Sequence, residues 1–335
     1  MELRRGGLNL VTGGTGFVGA HVVRALLAKG EPVRCLVRPG SRRSNLEGLA
    51  VEIVEGDLTD ESSLGHALRR VSTLYHVAAD YRLWTKDPDE LYRANAGGTG
   101  NVLAAAAAAG VSRIVHTSSV GALGLTKDGS PADETTPVSR DEIVGHYKRS
   151  KYDAERVAES WAAKGLPVVI VNPSTPIGEL DVKPTPTGKL VVDFLNRKLP
   201  AYVDTGLNLV DVRDVAEGHL LAAEKGRAGE RYILGNRNMT LKEILEALAR
   251  LTGLPAPRLK LPHAVPFAVA AVDTFLAPLL GREPSVSLES VRMSRHRMFF
   301  TAAKAVRDLG LPQSPVEDAL ARAARWFREN GYVRV

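Results

Sequence analysis

The chain has 335 residues, 44% of them hydrophobic and 24% charged, which are ordinary values for a folded protein. The formal net charge is +6, but basic and acidic residues are interspersed, which argues against a nucleic-acid-binding protein. A single cysteine, Cys35, excludes an internal disulfide and a cysteine-based zinc site. The eight histidines lack ligand spacing, so we predict no metal site. The N-terminus lacks the apolar stretch of a signal peptide, and we expect a cytoplasmic protein.

Short β-rich segments alternate with helical patterns in the first half of the chain. The predicted helices span 19–29, 62–70 and 90–109. Segments of this length suit right-handed crossovers between parallel strands, so the pattern predicts an α/β fold with a doubly wound parallel sheet of the Rossmann type. The predicted strands span 8–12, 33–37, 51–55, 73–77, 113–117 and 168–171.

The pattern changes after Asn172, where five prolines interrupt the chain up to residue 200. Segment 211–224 is typical of another strand followed by a helix, and 231–234 of a short strand, so the chain is expected to return to the first domain. We therefore predict a dinucleotide-binding domain and a smaller, mostly helical C-terminal substrate lobe. The first comprises residues 1–175 plus 207–237, and the second 176–206 plus 238–335.

Two helices are predicted in the second lobe. Thr240 is a candidate N-cap for a helix over 241–252, with Glu243 in capping-box spacing. The most apolar window, 264–280, is interrupted by prolines and falls short of the ~20 residues that a membrane-spanning helix needs. We predict a core helix there and no transmembrane segment, with contact to a membrane surface or a lipid-like substrate as the alternative.

A glycine-rich turn follows the first predicted strand. Gly13 allows a tight turn, Gly16 lets the backbone approach a pyrophosphate, and Gly19 permits close packing of the next helix. The N-terminus of that helix faces the anion. Because strand, turn and helix occur in this order, we interpret the turn as a dinucleotide-binding loop rather than a turn without a ligand. The sequence of the loop is Gly13-Gly14-Thr15-Gly16-Phe17-Val18-Gly19.

Arg38 follows the second strand, where an NAD enzyme usually has an acid that binds the ribose hydroxyls. An arginine can instead pair with a 2′-phosphate, and Arg42 and Arg43 follow closely. We therefore expect NADP(H) as the preferred cofactor and NAD(H) as the alternative, although all three arginines could simply be solvated. Further candidate cofactor contacts follow the third and fourth strands, at Asp57, Leu58, Ala78 and Ala79.

Tyr147 and Lys151 are four residues apart on a predicted helix and therefore share one face. An ammonium group favours the phenolate form of a nearby tyrosine, which would make Tyr147 a usable general acid or base. Ser119 follows the fifth strand, at the carboxyl edge of the sheet, where its hydroxyl can stabilise a carbonyl oxygen. The adjacent Ser118 is interpreted as a strand-end cap.

These motifs together resemble the extended short-chain dehydrogenase/reductase family, and the match covers most of the chain. Within it, the chain is similar to the dihydroflavonol-reductase-like group, and most closely to the hopanoid-associated sugar epimerases. The segments that carry this closer resemblance are 81–84, 172–178, 183–188, 201–209 and 298–300. The sequence departs from the expected pattern at 95–99, at 178–181 and at Asp211, where a histidine is more usual.

The resemblance implies roles for individual residues. Tyr147 would be the proton donor, Lys151 would also hold the nicotinamide ribose, and Ser119 would bind the substrate oxygen. Asn95 would support a proton relay. A homodimer is expected from the resemblance as well. The residues that would line the nicotinamide are Asn172, Pro173 and Ser174.

The leading hypothesis is an NADP(H)-dependent reductase of an aldehyde or ketone on a fairly apolar substrate. Its candidate lining comprises Tyr81, Leu83, Trp84, Phe267 and Phe275. The alternative is a nucleotide-sugar epimerase or dehydratase that retains NAD. A third class, a non-catalytic redox sensor, would not need Tyr147 or Lys151. Candidate diphosphate partners for the epimerase are Arg231, Arg292, Arg295 and Arg297, unless these are helix-surface charges.

Overall fold

The computed structural model describes residues 7–82, 85, 87–279 and 288–334. Its β-strands are β1 (Leu8–Thr12), β2 (Val33–Val37), β3 (Glu52–Glu55), β4 (Val71–His76), β5 (Arg113–Thr117), β6 (Val168–Pro173), β7 (Thr175–Ile177), β8 (Ala201–Tyr202), β9 (Gly206–Asp211), β10 (Arg231–Leu234), β11 (Arg237–Thr240), β12 (Leu259–Lys260) and β13 (Arg297–Met298). Its α-helices are α1 (Phe17–Ala28), α2 (Glu61–Ala67), α3 (Asp89–Tyr92), α4 (Gly98–Ala108), α5 (His146–Ala163), α6 (Pro186–Leu195), α7 (Val212–Lys225), α8 (Leu241–Thr252), α9 (Ala264–Leu279), α10 (Leu288–Met293), α11 (Ala303–Leu309) and α12 (Val316–Glu329).

A seven-stranded sheet forms the centre of the molecule, in the order β3-β2-β1-β4-β5-β6-β10. All of its strand pairs are parallel. The strand order reverses between β1 and β4, and a crevice opens beyond the carboxyl ends of parallel strands at such a point. This topology confirms the predicted doubly wound sheet. It also places the glycine-rich turn after β1 at the crevice.

Two hydrophobic layers cover the faces of this sheet. Helices α1, α7 and α11 contribute to one of them, for example through Val22, Val215 and Ala305. Helices α2, α4 and α5 contribute to the other, for example through Leu64 and Leu103. Strands buried on both faces explain the continuous apolar runs, such as 168–171, in which every residue is fully buried.

The second lobe is built around β9, which pairs with β7, β11 and β13. Its own apolar core packs residues of α6, α8 and α12 together. The predicted capping box at the start of α8 is confirmed: Glu243 N donates to Thr240 Oγ1 at 3.2 Å and Thr240 N donates to Glu243 Oε2 at 2.7 Å. The exact division into domains stays a prediction, because β9 lies in the second sheet whereas α7, directly after it, packs on the first.

Helix α9 matches the predicted position of a core helix but is only partly buried. Ala270 and Ala277 are fully buried, whereas Val269, Val272 and Phe275 are exposed by 55%, 58% and 73%. The expectation of a core helix is therefore wrong for one of its faces. Within the part of the chain that the structure describes, no helix has the length and apolarity to cross a membrane.

Arg113 connects β5 to the C-terminal end of α7. Its guanidinium donates to the carbonyl oxygens of Ala223, at 2.6 Å, Ala222, at 3.2 Å, and Gly226. The last carbonyls of a helix lack partners within the helix, so a cation there both satisfies them and complements the helix dipole.

We expect Arg113→Met to lower the free energy of unfolding by about 2 kcal/mol, because the variant loses several charged-donor hydrogen bonds. Urea unfolding followed by circular dichroism measures the change. Arg328→Met is the control, since Arg328 is exposed on α12; its effect should stay within about 0.5 kcal/mol. Equal midpoints for wild type and Arg113→Met would contradict this stabilising role.

Candidate active site

The turn after β1 requires glycine for steric reasons. Gly13 has a φ of +73°, and a Cβ there would lie 2.7 Å from the backbone of Ala78. A Cβ on Gly19 would lie 2.1 Å from the carbonyl oxygen of Gly13, which accepts a hydrogen bond from Gly16 N at 2.9 Å. Helix α1 then begins with no side-chain cap and no acid in its first turn. The backbone N–H groups of this turn, up to Val18 and Gly19, therefore fit the pyrophosphate of a dinucleotide.

Arg38 is exposed directly after β2 and forms no side-chain hydrogen bond or ion pair within the described ranges. Arg43 differs, because its guanidinium pairs with Glu55 at the end of β3. Of these two arginines, Arg38 is therefore the one available for a phosphate. Since its side chain follows a strand of the central sheet, it lies at the same edge as the glycine-rich turn.

The other predicted cofactor contacts also follow strands of the sheet. One carboxylate oxygen of Asp57 accepts from Thr59 N at 2.8 Å and from Thr59 Oγ1 at 2.7 Å, which fixes the turn after β3. The carbonyl oxygen of Leu58 accepts from Asn101 at 2.9 Å. Ala78 N donates to Thr12 Oγ1 at 3.2 Å, which ties the end of β4 to that of β1. Ala79 follows and is half-buried.

Tyr147 lies in the first turn of α5, next to Ser119. Burial raises the pKa of Tyr147 to about 12, and a hydrogen bond with the Ser119 hydroxyl partly opposes this increase. Ser119 Oγ in turn accepts from Gly121 N at 3.0 Å, which orients the hydroxyl. The direction of the pKa shift is opposite to the one expected from the spacing of Tyr147 and Lys151. The phenol is therefore protonated at neutral pH in this state.

Lys151 is almost fully buried, with 2% of its surface exposed. Its Nζ donates to the carbonyl oxygen of Thr117, the last residue of β5, at 2.7 Å. Burial lowers the pKa of Lys151 to about 8, and the negative charge of Glu155 opposes this decrease. The amine is thus fixed at the sheet edge, one helical turn from Tyr147.

Glu155 is a buried acid that the sequence analysis missed. Its carboxylate accepts from Asn172 Nδ2 at 2.7 Å and pairs with Arg231 at 3.2 Å and Arg156 at 3.0 Å. Asn172 Nδ2 also donates to the carbonyl oxygen of Ser119 at 3.1 Å. The four-residue spacing from Lys151 was the signal that could have identified it. Arg231, a candidate diphosphate partner, is thus engaged by Glu155, and its role towards a diphosphate stays a prediction.

Asn95 lies in a π-helical turn, Arg93–Gly97, between α3 and α4, whereas the sequence predicted one regular helix. Asn95 Nδ2 donates to the carbonyl oxygen of Asp80 at 2.9 Å and to Ser150 Oγ at 2.8 Å, and Asp80 N donates to Asn95 Oδ1 at 2.7 Å. π-Helical turns are frequent at functional sites. This one joins Asn95 to the helix that carries Tyr147, while its part in a proton relay stays a prediction.

Tyr81 is the predicted substrate contact that lies near Tyr147. Burial raises the pKa of Tyr81 to about 12, and Tyr147 contributes to the increase. The Tyr81 hydroxyl donates to the carbonyl oxygen of Lys183 at 3.1 Å, so it connects the two parts of the chain around the site. Phe275 is 73% exposed, and its place in the substrate lining stays a prediction. Trp84 and Leu83 lie outside the described residues.

Three buried polar atoms at the carboxyl ends of β5 and β6 have no hydrogen-bond partner among the described residues. They are Ser118 Oγ, Asn172 Oδ1 and Ser174 Oγ. Buried polar groups are nearly always satisfied, so such a cluster indicates a place where a polar ligand binds. Asn172 and Ser174 flank Pro173, at the position predicted for the nicotinamide, and Ser118 follows the neighbouring strand β5. The residues present therefore fit a dinucleotide along the whole sheet edge.

Two of the residues that depart from the family pattern, Glu179 and Asp211, take part in an ion network. Glu179 pairs with Arg213 at 2.7 Å and with Arg322 at 3.1 Å. Asp211 caps α7 by accepting from Arg213 N at 3.0 Å and also pairs with Arg322. Since Arg322 is on α12, the network joins the second lobe to α7.

Comparison with known proteins gives a consistent assignment. Residues 9–235 match the model of the NAD dependent epimerase/dehydratase family. A putative dihydroflavonol 4-reductase from Synechocystis is 51% identical, over 97% of this chain and 95% of that protein. Sterol demethylase protein B from Methylococcus capsulatus is 39% identical, over 97% and 99%. A dTDP-glucose 4,6-dehydratase from Streptomyces venezuelae, solved with NAD, superposes with a TM-score of 0.79, at 27% identity over 98% and 99%.

The family model covers more than half of the chain, and both relatives align over nearly all of it. The parallel sheet and the glycine-rich turn agree with this match. The chain therefore belongs to the NAD-dependent epimerase/dehydratase family and is an oxidoreductase of the extended short-chain dehydrogenase/reductase type.

Proposed function

We propose that the protein is an NADP(H)-dependent reductase of an aldehyde or ketone carried on an apolar molecule. The observation that carries this proposal is the arrangement at the carboxyl edge of the sheet. Tyr147 in the first turn of α5 lies beside the oriented hydroxyl of Ser119 and one helical turn from the anchored amine of Lys151. A reduction needs a proton donor at the carbonyl oxygen. A phenol with a pKa of about 12 is fully protonated at neutral pH, so it can serve as that donor.

The reaction requires a hydride at the carbonyl carbon and a proton at the carbonyl oxygen. Bound NADPH would supply the hydride. The Ser119 hydroxyl would donate a hydrogen bond to the carbonyl oxygen, and the Tyr147 hydroxyl would donate the proton. Lys151, held on the Thr117 carbonyl, would bind the nicotinamide ribose through its ammonium group. Asn172, held by Glu155, would orient the end of β6 against the nicotinamide.

The preference for NADP(H) rests on Arg38, which is exposed and unpaired among the described residues. A guanidinium can bind a 2′-phosphate through two parallel hydrogen bonds. The apolar character of the substrate is supported by the relative from Methylococcus, whose name refers to sterol demethylation. The homodimer stays a prediction.

The second candidate is a nucleotide-sugar epimerase or dehydratase that retains NAD. The similarity to the Streptomyces dTDP-glucose 4,6-dehydratase favours it. The pairing of Arg231 with Glu155 removes one of the arginines that could bind a sugar diphosphate. Arg297 is likewise paired, with Asp204 at 2.9 Å. These pairs make the reductase the better supported of the two.

We expect Tyr147→Phe to lower kcat for carbonyl reduction by ~100-fold or more, because the variant lacks the general acid. Steady-state kinetics with NADPH and a panel of aldehydes and ketones measures the loss, and calorimetric titration should show a nearly unchanged Kd for NADPH. Tyr152→Phe, on the same helix, is the matched control and should keep full activity. Undiminished turnover in Tyr147→Phe would exclude the proposed mechanism.

We expect Arg38→Gln to weaken NADPH binding by about tenfold, which corresponds to ~1.4 kcal/mol, while the Kd for NADH changes little. The reason is that only NADPH carries the 2′-phosphate. Calorimetric titration of nucleotide-stripped protein provides both constants, with Arg328→Gln as the control. If the wild type instead holds NAD(H) so tightly that it resists stripping, the epimerase becomes the leading candidate.

A further inference from the structure

Lys148, the residue after Tyr147 on α5, is a partly buried lysine that has no acidic partner among the described residues. Its Nζ contacts Met298 Sδ at 3.3 Å, and it has no other side-chain hydrogen bond or ion pair within the described parts of the chain. A thioether is only a weak acceptor for an ammonium group. Other lysines of the protein, such as Lys29, Lys189 and Lys304, pair with carboxylates at 2.5–2.7 Å.

The position of Lys148 relates it to the reacting groups. Its Cγ and Cδ lie 3.1 and 3.4 Å from where a Cβ on Gly121 would be. Gly121 N donates to the hydroxyl of Ser119, so the lysine stem packs on the turn that orients this serine. Met298 belongs to β13, which pairs with β9 in the second lobe. The amine therefore lies where the Ser119 turn, the start of α5 and the second lobe meet.

The two lysines of this helix have different environments. Lys151 is anchored on a backbone carbonyl, and the charge of Glu155 acts on it. Burial lowers the pKa of Lys148 to about 8, and no acid in the described part of the chain opposes the decrease. An ammonium group that is buried without an anion is destabilising, because it has lost water without gaining a counter-ion. An incoming anion would supply that missing partner.

We propose that Lys148 determines substrate specificity by binding an anionic oxygen group of the substrate, a carboxylate or a phosphate, while the carbonyl lies at Ser119 and Tyr147. This inference deepens the proposed function and rests on it for the position of the carbonyl. The substrate is then an amphipathic molecule with three recognised parts. Its carbonyl meets Tyr147, its acid group meets Lys148, and its remaining part is apolar, as in the proposed function.

The test compares probes that differ in charge at one position. They are 4-carboxybenzaldehyde, its uncharged methyl ester, and 4-formylphenyl phosphate, each assayed with NADPH. The wild type is expected to prefer at least one of the acids over the ester by ~10-fold or more in kcat/KM, mainly through KM. Which acid is preferred distinguishes a carboxylate from a phosphate as the recognised group.

Lys148→Met keeps an unbranched stem of similar length and removes the charge, so the ratio of acid to ester should fall towards one. Lys164→Met, at the C-terminal end of the same helix, is the control and should keep the wild-type ratio. Lys148→Gln is the second variant if Lys148→Met no longer binds NADPH. A wild type without preference for either acid, or a preference that survives in the Lys148 variant, would overturn the inference.

The same probes separate this inference from the reductase proposal. If none of the aldehydes is reduced, the proposed function fails for this class of carbonyl. Binding of the acids and the ester to the NADP⁺-loaded protein is then measured by calorimetry. Tighter binding of an acid that is lost in Lys148→Met but kept in Lys164→Met supports the anion site, whereas equal or absent binding overturns it.

Discussion

The hydrogen bond from Asn172 to the buried carboxylate of Glu155 is the contact on which the geometry of the site depends. It joins the end of β6 to α5, and the same asparagine amide also reaches the carbonyl of Ser119 after β5. A buried carboxylate is stable only when it is paired, and Glu155 has both an amide and two arginines. The side-chain amide of Asn172 therefore joins the ends of β5 and β6 to α5, the helix that carries Tyr147 and Lys151. Hydride and proton transfer need such positioning to within fractions of an ångström.

The elements of the fold could be predicted because their signals are local. Strand β6 begins with a run of apolar residues that is buried on both faces. The turn from Gly13 to Gly19 requires glycine for steric reasons, so the glycines themselves identify it in the sequence. Where both bounds of a strand were predicted, they differ from the observed ones by at most two residues, as for β4. The strand predicted within 211–224 was misplaced, because β9 ends at Asp211 and the segment after it is helix α7. The family of the protein could be recognised for the same reason, since its motifs are short and lie at strand ends.

The electrostatic properties of the site could not be predicted in this way. The spacing of Tyr147 and Lys151 is correct for one helical face, but the pKa of the phenol depends on its burial, which spacing does not record. Glu155 and Arg231 are separated by 76 residues, and their pairing becomes visible only when α5 packs on the sheet in which β10 is the edge strand next to β6. The environment of Lys148 could not be predicted from its helix either, because its amine contacts Met298, a residue of the second lobe.

The π-helical turn at Arg93–Gly97 is less regular than an α-helix, yet it orients a residue of the candidate site. One extra residue in that turn gives Asn95 its direction towards Asp80 and Ser150. A one-residue deletion would restore regular α-helical hydrogen bonds and rotate the following residues by about 100°. The more regular helix would then have lost its connection to α5. The orientation of Asn95 towards α5 therefore depends on a turn that is less regular than an α-helix.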